Sequence, residues 1–404
     1  MDGSYQLLAA RYVRKQTRQL LKQLDGARDS NDIEHVHQAR VASRRLRAGL
    51  RVFPECFPRK KVKRWRKKVR RLTQGLGPAR DKDVQVEFVR GVLSELDDKA
   101  YRSGIARLLL RLGQSRQVIQ PEVVRAVDRF EASGVGSQML AAAEKTRAKF
   151  KKRHLSIQSP VVFSQAQEHI CDRLNELIGY EDCLGEPEDL EQHHAMRIAA
   201  KRLRYTMEIY QPVYEGRLDG FLKAMKGLQT LLGDIHDCDV WVEHLEAFLT
   251  RERERTVIYY GNARPFRTLK VGVEYLQEER RSRRGELFGQ LGQYWQESDQ
   301  GGLWEELVQT VRSPREPPGD PERPTEAQHA SNGRKPTARR PHGDGKPVSD
   351  DGTGEDLERE ARRTVEPGGH QRAPCEARSV GPDGRGSGEQ GTLLGAGEPG
   401  AHGQ

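Results

Sequence analysis

HAMRIAAKRLRYTMEIY, residues 194–210, carries His194, Arg197, Lys201 and Arg204 three or four positions apart. That spacing places all four in one row along an α-helix. Ile198, Leu203, Met207 and Ile209 fall largely on other faces and give the helix something to bury. Taken alone, such a row reads most simply as a solvated face. A second stretch changes the reading: HQARVASRRLRAGLRVF, residues 37–53, sets His37, Arg40, Arg44 and Arg47 in the same four places, 157 residues earlier. Leu72–Gly77 and Arg80–Val84 in turn match Leu228–Gly233 and His236–Val240 at an offset of 156. The same offset pairs Trp65 with Phe221, Lys67 with Lys223, and Arg70 with Lys226. The chain reads as two copies of one helical unit.

The rest of the periodicity agrees. Leu8, Tyr12, Leu20, Leu21 and Leu24 predict a first helix, and Asp32 is a suitable N-cap for the helix that carries the first row. The third helix opens on a run, Arg59–Arg71, in which ten of thirteen residues are basic, yet Val62, Trp65, Val69, Leu72 and Leu76 keep a packing face. Gly75, Gly77 and Pro78 are expected to stop it, with a fourth helix following from Val84. In the second copy the corresponding helices are expected at about 218–232 and 237–249, and Pro212 is expected to close the row helix. No stretch alternates as a strand would. The expected fold is all-α: two four-helix bundles related by a pseudo-twofold, spanning residues 1–158 and 159–312, with a basic groove between them.

Residues 313–404 differ in kind. Of these 92 residues 29 are Gly or Pro, none is aromatic, and 13 Lys/Arg stand against 16 Asp/Glu, a composition that predicts a disordered tail. The chain's net charge of +10 therefore becomes +13 on residues 1–312, so the folded part is the basic part and is suited to a polyanion. Cys56, Cys171, Cys183, Cys238 and Cys375 form no CxxC pair, and no apolar run reaches membrane-spanning length. These features predict a reducing, cytoplasmic setting with no disulfide framework and no membrane partner.

HxxRVxxRRLR at His37–Arg47, HxxRIxxKRLRY at His194–Tyr205, LxxLLGxxHDxxV at Leu228–Val240 and the related LTQGLGPARDxxV at Leu72–Val84 resemble the CHAD family, the conserved histidine α-helical domains. The resemblance covers roughly residues 5–300. It implies two helical bundles with a basic groove or pore between them, and inorganic polyphosphate as the ligand. Some members carry an N-terminal CYTH-type enzyme domain; none is expected here.

Polyphosphate is a flexible chain of charges without bases. Its receptor needs cations at regular spacing: arginine offers a planar fork to two oxygens, and lysine a compact charge. A row at i, i+3, i+7 and i+10 advances about 15 Å along a helix, enough to meet several phosphates. The candidate binding residues are His37, Arg40, Arg44, Arg47, Arg51, Lys63, Lys67 and Arg70 in the first copy. In the second they are His194, Arg197, Lys201, Arg204, Lys223 and Lys226. Glu208, standing where the first copy has Arg51, marks the expected end of the second row. Asp81, Asp83, Asp237 and Asp239 could hold magnesium, but aspartates so placed more often cap a helix or hold an arginine.

No catalytic residue, metal site or cofactor is expected. The expected function is non-catalytic polyphosphate binding, on polyphosphate granules and beside a polyphosphate-metabolising enzyme or granule protein. A nucleic-acid binder using the same basic helices is the alternative. Affinity should fall steeply with salt in a filter-binding titration, and Glu at Arg40 and Arg197 should weaken it more than Glu at Arg334 and Arg339.

Overall fold

A computed structural model describes residues 2–29, 32–151 and 153–313; beyond Ser313 the expected tail lies outside the described residues. The described chain is all-α. The first copy contains α1 (Gly3–Asp29), α2 (Ile33–Val52), α3 (Arg59–Glu95), α4 (Lys99–Glu131) and α5 (Val135–Lys151). The second contains α6 (Pro160–Ile178), α7 (Leu190–Tyr214), α8 (Asp219–Tyr260), α9 (Phe266–Gln300) and α10 (Leu303–Arg312), with a 3-10 turn at Glu181–Gly185 before α7.

Side-chain oxygens cap several helices where the sequence changes direction. Asp32 accepts from the Glu34 amide at 2.8 Å, Asp98 from Ala100 at 2.8 Å, and Asp189 from Gln192 at 3.1 Å. The expected breaks inside the long helices do not occur. α3 runs through Gly75, Gly77 and Pro78, α8 runs unbroken through 233–236, and α7 contains Pro212. Tertiary packing overrides the local signals. Gly77 is where α3 makes room for a side chain of α2: a Cβ there would come within 2.9 Å of Arg40 Nη1. A proline inside a helix costs about 3 kcal/mol. Burial of Leu72, Leu76, Ala79 and Val89 around Pro78 offsets that, at about 1.5–3 kcal/mol for each large apolar side chain.

Two hydrophobic cores hold the helices. The larger draws on both copies, from Tyr5 of α1 to Val311 of α10, with Trp65, Tyr210 and Tyr214 fully enclosed. The smaller lies at the far ends of the α3–α4 and α8–α9 hairpins, where Val89, Ile105, Leu108, Trp241, Leu245, Phe248, Val273 and Leu276 cluster. The bundles thus meet at two places: α2 packs on α7, and the hairpins join at their tips.

The tip contact displays the pseudo-twofold. A Cβ at Gly104 of α4 would fall on the carbonyl oxygen of Leu269, and one at Gly272 of α9 on that of Tyr101. Both pairs are related by 168 residues, so each copy offers the other the same glycine and the same carbonyl. Ile105 and Val273, and Leu108 and Leu276, repeat the relation in the core beneath. The crossing is a backbone-to-backbone approach that only glycine permits. Gly104→Ala or Gly272→Ala should each cost about 2–3 kcal/mol in urea unfolding, because the helices must separate. Gly91→Ala, where a Cβ meets nothing within 4 Å, should instead gain about 0.5–1 kcal/mol.

Candidate functional site

Helix α2 packs on α7, and the two cationic rows converge at that contact. Tyr205 of α7 lies between them: the Arg44 guanidinium is 5.7 Å and the Arg204 guanidinium 5.4 Å from its ring centroid. Cations from opposite bundles thus share one aromatic ring, an arrangement that stabilises each by its quadrupole. Beside them Arg45 of α2 makes a two-pronged bond across the bundles to Glu208, at 2.9 and 3.1 Å. Arg204 Nε lies 3.7 Å from the same carboxylate. Glu208 therefore clamps the two row-bearing helices together, which the reading of it as the row's end did not foresee.

Exposure grades along the first row. His37, Arg40 and Arg44 are buried, Arg47 is half-buried and Arg51 is exposed. In the second row Arg197 is fully buried, at 0% exposure, while His194, Lys201 and Arg204 are half-buried. On the following helices Lys63, Lys67, Arg70 and Lys223 are exposed and Lys226 is half-buried. The deep residues set a positive potential within the protein, and the outer ones meet solvent. One expectation changes as a result. Glu at Arg197 would bury a carboxylate in place of a guanidinium, so that substitution tests folding before it tests binding.

The aspartates of the repeated motif hold arginines. Arg116 of α4 donates from Nε to Asp83 at 2.6 Å, and Arg284 of α9 to Asp239 at 2.5 Å. The two pairs occupy equivalent places in the two copies. Burial raises the pKa of both carboxyl groups above the usual range, with the paired arginine pulling each back. Asp81 lies 3.9 Å from Arg40 Nη2. Burial likewise raises the Asp234 carboxyl, opposed by Arg283, Arg197 and Arg280. Among the described residues no group of three or more His, Cys, Asp or Glu side chains is placed to hold a metal ion.

The histidines divide. His193 Nε2 donates to the Cys183 carbonyl at 2.9 Å, and His35 Nδ1 to Gln23 Oε1 at 2.8 Å, which marks both as structural. His194 faces His236 of α8, with Nδ1 atoms 3.4 Å apart. His236 aligns with Arg80 of the first copy, so the two bundles differ at this place. Cys56, Cys171, Cys183 and Cys238 are buried.

Toward the hairpin tips the fold brings together basic side chains that the row pattern did not reveal. Lys82 of α3 is partly buried, and burial lowers its pKa, with Arg251 adding to the effect and Asp81 opposing it. His244 of α8 lies beside Trp241, ring centroids 5.6 Å apart, and its pKa falls from 6.5 to about 4 through burial, then through Lys82 and Arg251. Lys82, His244 and Arg251 were not legible in the sequence, because only the fold brings α3 and α8 together there.

A profile of the CHAD domain family matches residues 11–246. Two uncharacterized proteins from two strains of Mycobacterium tuberculosis are each 30% identical over 251 residues. The match covers 58% of this chain and 44% of theirs, so the chain spans less than half the length of the curated relatives it matches. The crystal structure of the CHAD domain from the plant Ricinus communis is 19% identical, with a TM-score of 0.48, covering 77% of this chain and 92% of that one.

The lowered pKa of His244 links stability to pH. Above 6.5 the imidazole is neutral in both the folded and unfolded states. As pH falls toward about 4 the unfolded chain takes up a proton that the folded protein resists, so stability is lost. Between pH 7 and pH 5 the loss should be about 2 kcal/mol in urea unfolding. His244→Phe should remove that share of the pH dependence, since the buried Nε2 has no hydrogen-bond partner to lose. Equal losses in both proteins would assign the effect elsewhere.

Proposed function

The chain belongs to the CHAD-domain family, and from that premise we propose that it is a non-catalytic receptor for inorganic polyphosphate. The observation that carries the reading is the convergence of two cationic rows from separate bundles on the Tyr205 ring. A linear polyanion suits that geometry. It enters past the exposed Lys67, Arg70 and Lys223 and meets Arg47, Lys201 and Arg204 at the helix contact. The more deeply buried Arg40 and Arg197 attract it by field rather than by contact. His37 and His194 supply ring N–H groups at the first position of each row.

The binding chemistry is charge-assisted hydrogen bonding to phosphate oxygens, worth about 1.5–3 kcal/mol for each good contact. Binding the polyanion also relieves the repulsion among clustered cations that the free protein must carry. We propose polyphosphate granules in the cytoplasm as the place of action and a polyphosphate-metabolising enzyme or granule protein as partner. No helix among the described residues is long and apolar enough to cross a membrane.

Charge reversal at exposed positions tests the reading without threatening the core. Lys67→Glu with Lys223→Glu should weaken long-chain polyphosphate binding at least about tenfold in calorimetry. It should also lower the slope of log affinity against log salt by about 1.4. Lys22→Glu with Lys145→Glu, the same charge change on the exposed faces of α1 and α5, should leave affinity within about twofold, as screened distant charges do. At fixed salt, polyphosphate should displace labelled RNA of matched charge far better than the reverse. Equal displacement would favour a general nucleic-acid surface.

A further inference from the structure

The basic run Arg59–Arg71 holds more cations than the two rows use. Lys63, Lys67 and Arg70 share one face of α3, whereas Lys68 and Arg71 lie about 100° further round the helix. These two line a groove of about 680 Å³ between α3 and the C-terminal half of α4. Arg125 and Arg129 stand on its opposite wall, and Leu72 and Phe130 are among its apolar lining residues. Glu122 is the one carboxylate among the lining residues, and Arg125 donates to it at 3.3 Å. The groove therefore carries a surplus of positive charge around a concave apolar floor.

The fold does not require this opening, as the second bundle shows. The offset of 156 that relates α3 to α8 maps Lys68 onto Ala224 and Arg71 onto Gly227. The offset of 168 that relates α4 to α9 maps Ala126, which lines the groove, onto Tyr294. In the second bundle Tyr294 donates from its hydroxyl to the Ala224 carbonyl at 2.7 Å. A Cβ at Gly227 would lie only 2.7 Å from that hydroxyl oxygen. The tyrosine occupies the place that the first bundle leaves open, and the cations are missing there too. The open space and the charge thus occur together, in one copy only.

We propose that this groove is a second anion subsite, which takes the continuation of a polyphosphate chain that leaves the row site over Lys67 and Arg70. The inference rests on the polyphosphate reading and adds a direction to it. Helix α3 becomes a shared wall, with row cations on one face and groove cations on the next. A short chain fills the rows alone. A long chain turns round α3 and gains Lys68, Arg71, Arg125 and Arg129.

Calorimetry of the full chain with two probes, inorganic tripolyphosphate and long-chain polyphosphate, tests this. Arg71→Glu with Arg129→Glu should weaken long-chain binding about tenfold and leave tripolyphosphate binding unchanged. Both arginines are exposed, so the fold should survive, as thermal unfolding can verify. Equal loss for both probes, or none for either, would overturn the subsite while leaving the row site standing. If the unaltered protein bound neither probe, the polyphosphate reading itself would fail, and the subsite with it.

Discussion

With 0% of its surface in water, Arg197 imposes the condition that the surrounding helices must meet. Arg40, at 5%, imposes it again in the other copy. Taking an ion out of water costs several kcal/mol unless neighbouring charges and hydrogen bonds compensate. The structure responds with acidic residues on the next helix. Asp81 approaches Arg40, and Arg197 acts on Asp234. Gly77 supplies the room for Arg40. A second tier, Arg116 with Asp83 and Arg284 with Asp239, ties the following helices into the same network. The cations of the groove are thus anchored from behind, and their outer neighbours are left to meet solvent.

The anchoring explains why the rows are more than a solvated face. A solvated row would leave all its members exposed and mobile. Here the deep residues are fixed by burial, and Tyr205 and Glu208 bring the two rows into register across the bundles. The buried arginines Arg40 and Arg197 recur in both copies, but other positions of the repeat differ. His236 replaces Arg80, Glu208 replaces Arg51, and Tyr294 closes a groove that Ala126 leaves open.

Much of this was legible in the residues. The two rows, their offset, the all-α architecture and the cap at Asp32 follow from spacing and residue type. The long helices did not, because Gly75 and Gly77 act as close-approach points in a helix held by its neighbours, and local propensity cannot register a neighbour. The depth of Arg197 was equally hidden, since helical periodicity places a side chain on a face but says nothing of what covers that face. The bond from Arg45 to Glu208 joins residues 163 positions apart, and only the packing of α2 on α7 brings them together.

Amide hydrogen exchange with and without long-chain polyphosphate tests the central claim, that one ligand engages cations of both bundles at once. Slowed exchange should appear together in α2 and α3 of the first bundle and in α7 and α8 of the second, at the same ligand concentration. Protection confined to one bundle, or to residues 314–404, would contradict a site shared between the rows.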